Sequence, residues 1–134
     1  MDITLERAHI SGTLRVPTSK SQTIRALLIA TFSHSTSVIH NPLYSSDTRS
    51  CIEGCKALGA LVELKEDMII LQAPQKMPKN VEIDCGNSGT TLYLLCAMVA
   101  ALPIRATFTG DKQLQNRPVK PLLEALATLG VDIS

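Results

Sequence analysis

One pattern is written into this chain twice, and no other feature constrains its fold as much. Residues 10–15 (Ile-Ser-Gly-Thr-Leu-Arg) alternate as a strand does, and Pro17 closes the run. A helix is expected from about Ser19 to Phe32, with Ile24, Leu27, Leu28 and Phe32 at helical spacing. A short strand, Ser37–His40, leads to the turn signal Asn41-Pro42. Ser46 or Asp47 then caps a second helix that ends at Gly59, and residues 60–64 and 68–72 read as strands joined by Lys65-Glu66-Asp67. The second half repeats the order. Val81–Cys85 reads as a strand, Ser88 to about Ala101 as a helix and Ile104–Thr109 as a strand. Pro118 stands in the first turn of a helix that ends at Gly130, and Val131-Asp132-Ile133 opens another strand. Leu58-Gly59-Ala60-Leu61-Val62 matches Leu129-Gly130-Val131-Asp132-Ile133 at an offset of about 71.

The expected architecture is therefore α/β (α+β), with a β-α-β-α-β-β unit used twice: residues 1–74, then an incomplete copy over 75–134. The second copy stops before its closing strand. That leaves an edge of the kind stable proteins cover, so the expectation is a piece of a longer protein that self-associates through this edge.

Two helix starts carry the chemistry. In Pro17-Thr18-Ser19-Lys20-Ser21-Gln22-Thr23-Ile24-Arg25, Lys20 places a cation beside a helix N-terminus, which already attracts anions. Ser21 adds a hydroxyl, and Arg25, one turn on, offers a fork for a carboxylate or phosphate. In Gly86-Asn87-Ser88-Gly89-Thr90-Thr91, two glycines permit close backbone approach and hydroxyls stand at the helix start. This is neither a Walker loop nor G-x-G-x-x-G. Arg117, next to Pro118, opposes the local helix dipole, a conflict that a ligand carboxylate would resolve. The alternatives are ordinary serine caps and solvated cations. His9, His34 and His40 read as surface or strand-end residues, Asp47 as a cap, and Lys56, Lys65, Glu66 and Asp67 as solvated.

Composition narrows the partners. The net charge of +1 gives no bulk attraction to nucleic acid or an acidic membrane, and 3% aromatic content leaves few base-stacking platforms. No apolar run is long enough to span a bilayer, and Asp2 and Glu6 do not suit a leader peptide, so a cytoplasmic location is expected. Cys51, Cys55, Cys85 and Cys96 lack zinc-ligand spacing and read as small buried hydrophobes, so no metal is expected.

Taken together, Leu14, Val16-Pro17, Ser19-Lys20-Ser21, Arg25-Ala26-Leu27, the Gly86–Thr91 motif, and Arg117-Pro118 with Leu122 and Leu126 resemble the N-terminal part of the 5-enolpyruvylshikimate-3-phosphate synthases. The resemblance implies a part of the inverse α/β barrel-like domain of enolpyruvyl transferases, whose building unit is the same β-α-β-α-β-β. It also implies transfer of the enolpyruvyl group of phosphoenolpyruvate to the 5-hydroxyl of shikimate 3-phosphate, in aromatic amino acid biosynthesis. The reaction proceeds by addition and elimination, without metal or organic cofactor. Lys20, Gly89 and Arg117 would contact phosphoenolpyruvate, and glyphosate would compete there. Ser21 and Arg25 would contact shikimate 3-phosphate, with Thr90 near it. The whole enzyme would be a monomer.

Two departures stand out. Tyr93 takes the place of the family's usual arginine, and the family's acid and base residues have no counterpart in this chain. These residues would position ligands rather than transfer protons, and the chain alone is expected to be inactive. The sister UDP-N-acetylglucosamine enolpyruvyl transferases typically have Lys-Asn where Lys20-Ser21 stands, and commonly a cysteine where the loop reads Gly110–Asn116. A stand-alone anion-binding module is the alternative of another class.

Overall fold

The structure, a computed structural model, describes residues 3–134; Asp2 lies outside them. Regular structure begins where Ser19, in extended conformation, accepts the Gln22 N–H on its hydroxyl and caps α1 (Lys20–Thr31). Ile24, Leu27 and Leu28 of α1 are fully buried, so the helical spacing marks the core face. β1 (Thr36–His40) follows, then α2 (Ser46–Ala57), β2 (Leu61–Leu64) and β3 (Met68–Gln72). The second half contains β4 (Asn80–Asp84), α3 (Gly89–Val99), β5 (Arg105–Thr109), the single turn α4 (Lys112–Gln115) and α5 (Lys120–Thr128).

Two sheets form. β3 lies between β1 and β2, antiparallel to both, with Ile69 opposite Ile39 and Leu64. Its central place explains why Ile69 and Leu71 are fully buried while their neighbours are not. β4 and β5 pair in parallel across α3, from Asn80 opposite Arg105 to Asp84 opposite Thr109. One core serves both halves: Leu27, Leu58 and Leu71 belong to the same cluster as Ile83 and Leu95. Burying each such side chain stabilises the fold by about 1.5–3 kcal/mol. Among the described residues, no buried side-chain nitrogen or oxygen lacks a hydrogen-bond partner.

The repeat is clearest at two helix ends. Gly59 (φ 98°) and Gly130 (φ 89°) both leave their helices in the left-handed region. Gly59 N–H donates to Lys56 O at 2.8 Å and Ala60 N–H to Cys55 O at 3.0 Å. The counterparts are Gly130 to Ala127 at 2.9 Å and Val131 to Leu126 at 3.2 Å.

Several expectations are corrected. Residues 10–15 form no strand, and every residue from 3 to 20 is exposed. Their counterpart β4 is held by the helix of the preceding unit: Ile83 approaches Gly54 of α2 and is fully buried. No described element plays that part for residues 10–15. Residues 131–133 form no strand either, because no described partner pairs with them as β3 pairs with β2. Neither copy therefore completes β-α-β-α-β-β. The α2 cap is Ser45, in a reciprocal capping box with Thr48; Asp47 is freed for another task. Pro118 lies outside α5, whose cap position is Val119, and Pro121 occupies its first turn.

All four cysteines are buried and free. Burial, with Cys96 and Asp84 nearby, pushes the Cys85 thiol up to about 12, and burial takes Cys96 to about 11. Cys51 is raised further by its hydrogen bond with Cys55 and by burial. A thiol raised in the folded state keeps its proton while the unfolded chain loses its own. Stability is therefore full below pH 9 and falls as pH rises toward 11–12. Urea midpoints measured from pH 7 to 11 should decline above pH 9, and a flat profile would count against these thiols remaining protonated.

Candidate functional site

The N-termini of α1, α2 and α3 are joined by a chain of side-chain contacts. Lys20, the first residue of α1, donates from Nζ to Asp47 Oδ2 of α2 at 2.7 Å. Both side chains are partly exposed, so the pair adds at most about 1 kcal/mol to stability; its effect is to aim the ammonium. Cross-bonding fixes the frame beneath it. Thr23 Oγ1 donates to Ser19 O at 3.0 Å and accepts the Leu43 N–H at 3.0 Å, while Thr48 Oγ1 donates to Leu43 O at 2.7 Å.

One turn beyond Asp47, Ser50 meets the β4–α3 loop, where a Cβ on Gly86 would stand 2.5 Å from Ser50 Oγ. Gly86 N–H donates to Asp84 Oδ1 at 2.8 Å, and Gly86 O accepts the Asp111 N–H at 2.9 Å. The loops after β4 and β5 therefore touch, at the carboxyl ends of the parallel pair, where open α/β sheets place their ligands. Ser88 is fully buried at the α3 cap, accepting the Thr91 N–H at 3.2 Å and donating to Thr91 Oγ1 at 2.8 Å.

Arg117 closes the chain of contacts. Its Nη2 donates to Asn87 Oδ1 at 3.0 Å and to Asn87 O at 3.3 Å, and Asn87 Nδ2 donates to Gln113 Oε1 at 2.6 Å. Its Nη1 would lie 2.6 Å from a Cβ on Gly89, the first residue of α3. The expected dipole conflict is therefore real but misplaced: Arg117 sits in the turn between α4 and α5 and faces the N-terminus of α3. An arginine held against the positive end of a helix makes a strong seat for an anion.

The structure thus joins Gly89 to Arg117 and ties Lys20 to the same frame through α2. Ser21 is half-buried on α1, Arg25 is exposed one turn further on, and Thr90 is half-buried beside Gly89. Sequence reasoning missed Asp47 as the partner of Lys20 and Asn87 as the holder of Arg117. The pairings join residues 27 and 30 positions apart, and neither has a spacing signature. Tyr93 lies one turn past Gly89, with its hydroxyl 3.5 Å from Pro118 O, beside the turn that carries Arg117. Among the described residues no group of three or more His, Cys, Asp or Glu could hold a metal ion, and no helix is long and apolar enough to cross a membrane.

Comparison with known proteins identifies the family and the fold. The family model for EPSP synthase (3-phosphoshikimate 1-carboxyvinyltransferase) matches residues 5–134. A 3-phosphoshikimate 1-carboxyvinyltransferase from Methanothrix thermoacetophila is 46% identical over 98% of this chain and 31% of its own length. That of Chlamydia caviae is 42% identical over 95% of this chain and 29% of its own. A solved EPSP synthase from Acinetobacter baumannii superimposes with a TM-score of 0.81 at 25% identity, covering 90% of this chain and 28% of the other. The chain spans roughly 30% of the length of the relatives it matches. With its family motifs, its helix-start frame and this likeness in view, the chain belongs to the EPSP synthase family.

Proposed function

We propose that this chain forms one wall of the site that transfers the enolpyruvyl group of phosphoenolpyruvate to the 5-hydroxyl of shikimate 3-phosphate. The observation that carries the reading is the contact of Arg117 with Asn87 and with the N-terminus of α3 at Gly89. Lys20, Gly89 and Arg117 would receive phosphoenolpyruvate; Ser21, Arg25 and Thr90 would receive shikimate 3-phosphate. An ammonium has three donors, and Asp47 occupies one, so Lys20 keeps two for a ligand phosphate or carboxylate.

These groups are donors and cations, suited to holding ligands rather than to transferring protons. They would hold both substrates in register and stabilise the negative charge of the tetrahedral intermediate as phosphate departs. No cofactor enters this chemistry. The two repeated units, residues 1–74 and 75–134, would contribute one helix start each to the ligand pair. A cytoplasmic enzyme competed by glyphosate is the corresponding cellular reading.

The test is a two-dimensional NMR titration of the chain with shikimate 3-phosphate, then with phosphoenolpyruvate or glyphosate. Shifts should cluster at Lys20, Ser21, Arg25, Gly89, Thr90 and Arg117. Losing several charge-assisted contacts of about 1.5–3 kcal/mol each to the rest of an enzyme puts the affinity near millimolar. Shifts scattered away from these amides at saturating ligand would overturn the assignment. Phosphate release by the isolated chain from both substrates would overturn the reading of these residues as positioning groups only.

A further inference from the structure

We propose that Gln113 is a positioning residue for Arg117: it turns the side-chain amide of Asn87 so that the amide oxygen faces the guanidinium. The inference rests on the reading of Arg117 as the anion seat.

A guanidinium carries only donors, so the Asn87 atom that meets Arg117 Nη2 at 3.0 Å is the oxygen, Oδ1. Asn87 Nδ2 is then the opposite end, and the Gln113 atom that meets it at 2.6 Å is the acceptor, Oε1. Each atom in the row Gln113–Asn87–Arg117 is thus assigned by its neighbour, outward from a group that cannot change its character. Among the described residues Asn87 is the one hydrogen-bond partner of the Arg117 side chain, through Oδ1 and through its carbonyl at 3.3 Å. Both Nη2 hydrogens are so used, and the Nη1 pair and Nε–H remain for a ligand beside Gly89.

Turning the amide over would set Nδ2 against the guanidinium, donor to donor. The bond to Oδ1 would be lost, and Arg117 would leave its place at the N-terminus of α3. Asn87 is only half-buried, so water competes for both ends of its amide. Gln113 removes that freedom by tying down the end that Arg117 does not use.

Its own backbone is fixed, which lets it do so. α4 is a single turn anchored by the buried Leu114, and Asp111 Oδ1 caps it by accepting the Leu114 N–H at 2.8 Å. Asp111 N–H donates to Gly86 O at 2.9 Å, one residue before Asn87. A Cβ on Gly110 would stand 2.6 Å from that same oxygen, so the two loops meet backbone to backbone. Gln113 itself is exposed, and core packing does not account for its place.

The test is a double-mutant cycle in the full chain, read by hydrogen exchange of the Arg117 guanidinium in NMR and by titration with phosphoenolpyruvate. Gln113→Met keeps the length of the side chain and removes the amide oxygen. It should speed exchange at Arg117 Nη2 and weaken phosphoenolpyruvate binding, each by about three- to tenfold, with an unchanged urea midpoint. Asn87→Asp gives the site two equivalent oxygens, so no orientation is left to set. In that background Gln113→Met should change both readouts by less than about twofold. A loss of equal size in both backgrounds would show that Gln113 acts through the packing of α4 and would overturn the proposal. Arg117 exchange indifferent to Gln113→Met in the parent chain would overturn it too. Exchange that responds as expected, in a parent chain that binds no phosphoenolpyruvate at Arg117, would uphold the positioning role and overturn the substrate reading alone.

Discussion

Replacing Gly89 with alanine is expected to weaken binding of phosphoenolpyruvate by this chain at least tenfold while leaving it folded. The added Cβ would stand 2.6 Å from Arg117 Nη1, well inside contact distance. What must yield is the end of a long side chain, not backbone, so the cost to stability stays within about 1 kcal/mol. The guanidinium swings away from α3 and loses its bonds to Asn87. A charged hydrogen bond is worth about 1.5–3 kcal/mol, and losing one aimed at a ligand accounts for a tenfold change or more. The check is the NMR titration repeated on Gly89→Ala beside the wild type, with a urea midpoint for each. An affinity within twofold of wild type would mean that Arg117 does not hold the anion. A collapsed midpoint would mean that Gly89 serves the fold first.

Ile83→Ala should cost about 2–5 kcal/mol, a large share of the roughly 5–15 kcal/mol that holds a domain together. Ile83 is fully buried on β4, and its Cγ2 would stand 3.3 Å from a Cβ on Gly54 of α2, beside Leu95 of α3. It is thus a junction between the two halves, packed so closely that a cavity there cannot easily collapse. Urea unfolding followed by circular dichroism should show one cooperative transition in the wild type, moved to a much lower midpoint in the variant. A loss below 1 kcal/mol, or two separated transitions in the wild type, would show instead that the halves stand independently.

Much of this fold was readable from the residues because its signals are local. The buried face of α1 follows from the spacing of Ile24, Leu27 and Leu28, and the matched glycines at 59 and 130 end matched helices. What escaped reading depended on partners. The alternation at residues 10–15 marks two faces but cannot supply a neighbouring strand. Ser45, Ser46 and Asp47 are three good caps in a row, and only the reciprocal bond with Thr48 decides among them. In the site, Lys20, Gly89 and Arg117 stood out as charge or glycine at a helix start. The proximity of Pro118 tied Arg117 to α5, whereas its true surroundings are set by Asn87, thirty residues earlier. Asp47 looked satisfied by a local task and so concealed its bond to Lys20 across twenty-seven residues.

The shared core also bears on how the molecule is made. By the time Gln72 has left a ribosome, α1, α2 and the sheet β1-β3-β2 can assemble from contacts already present. The face of α2 at Gly54 must then wait for Ile83 and Leu95. At about 5–20 residues per second, that wait lasts seconds. During it, nascent chains on neighbouring ribosomes would display the same apolar face to one another, which makes the interval between Gln72 and Leu95 one in which a chaperone has an apolar face to protect.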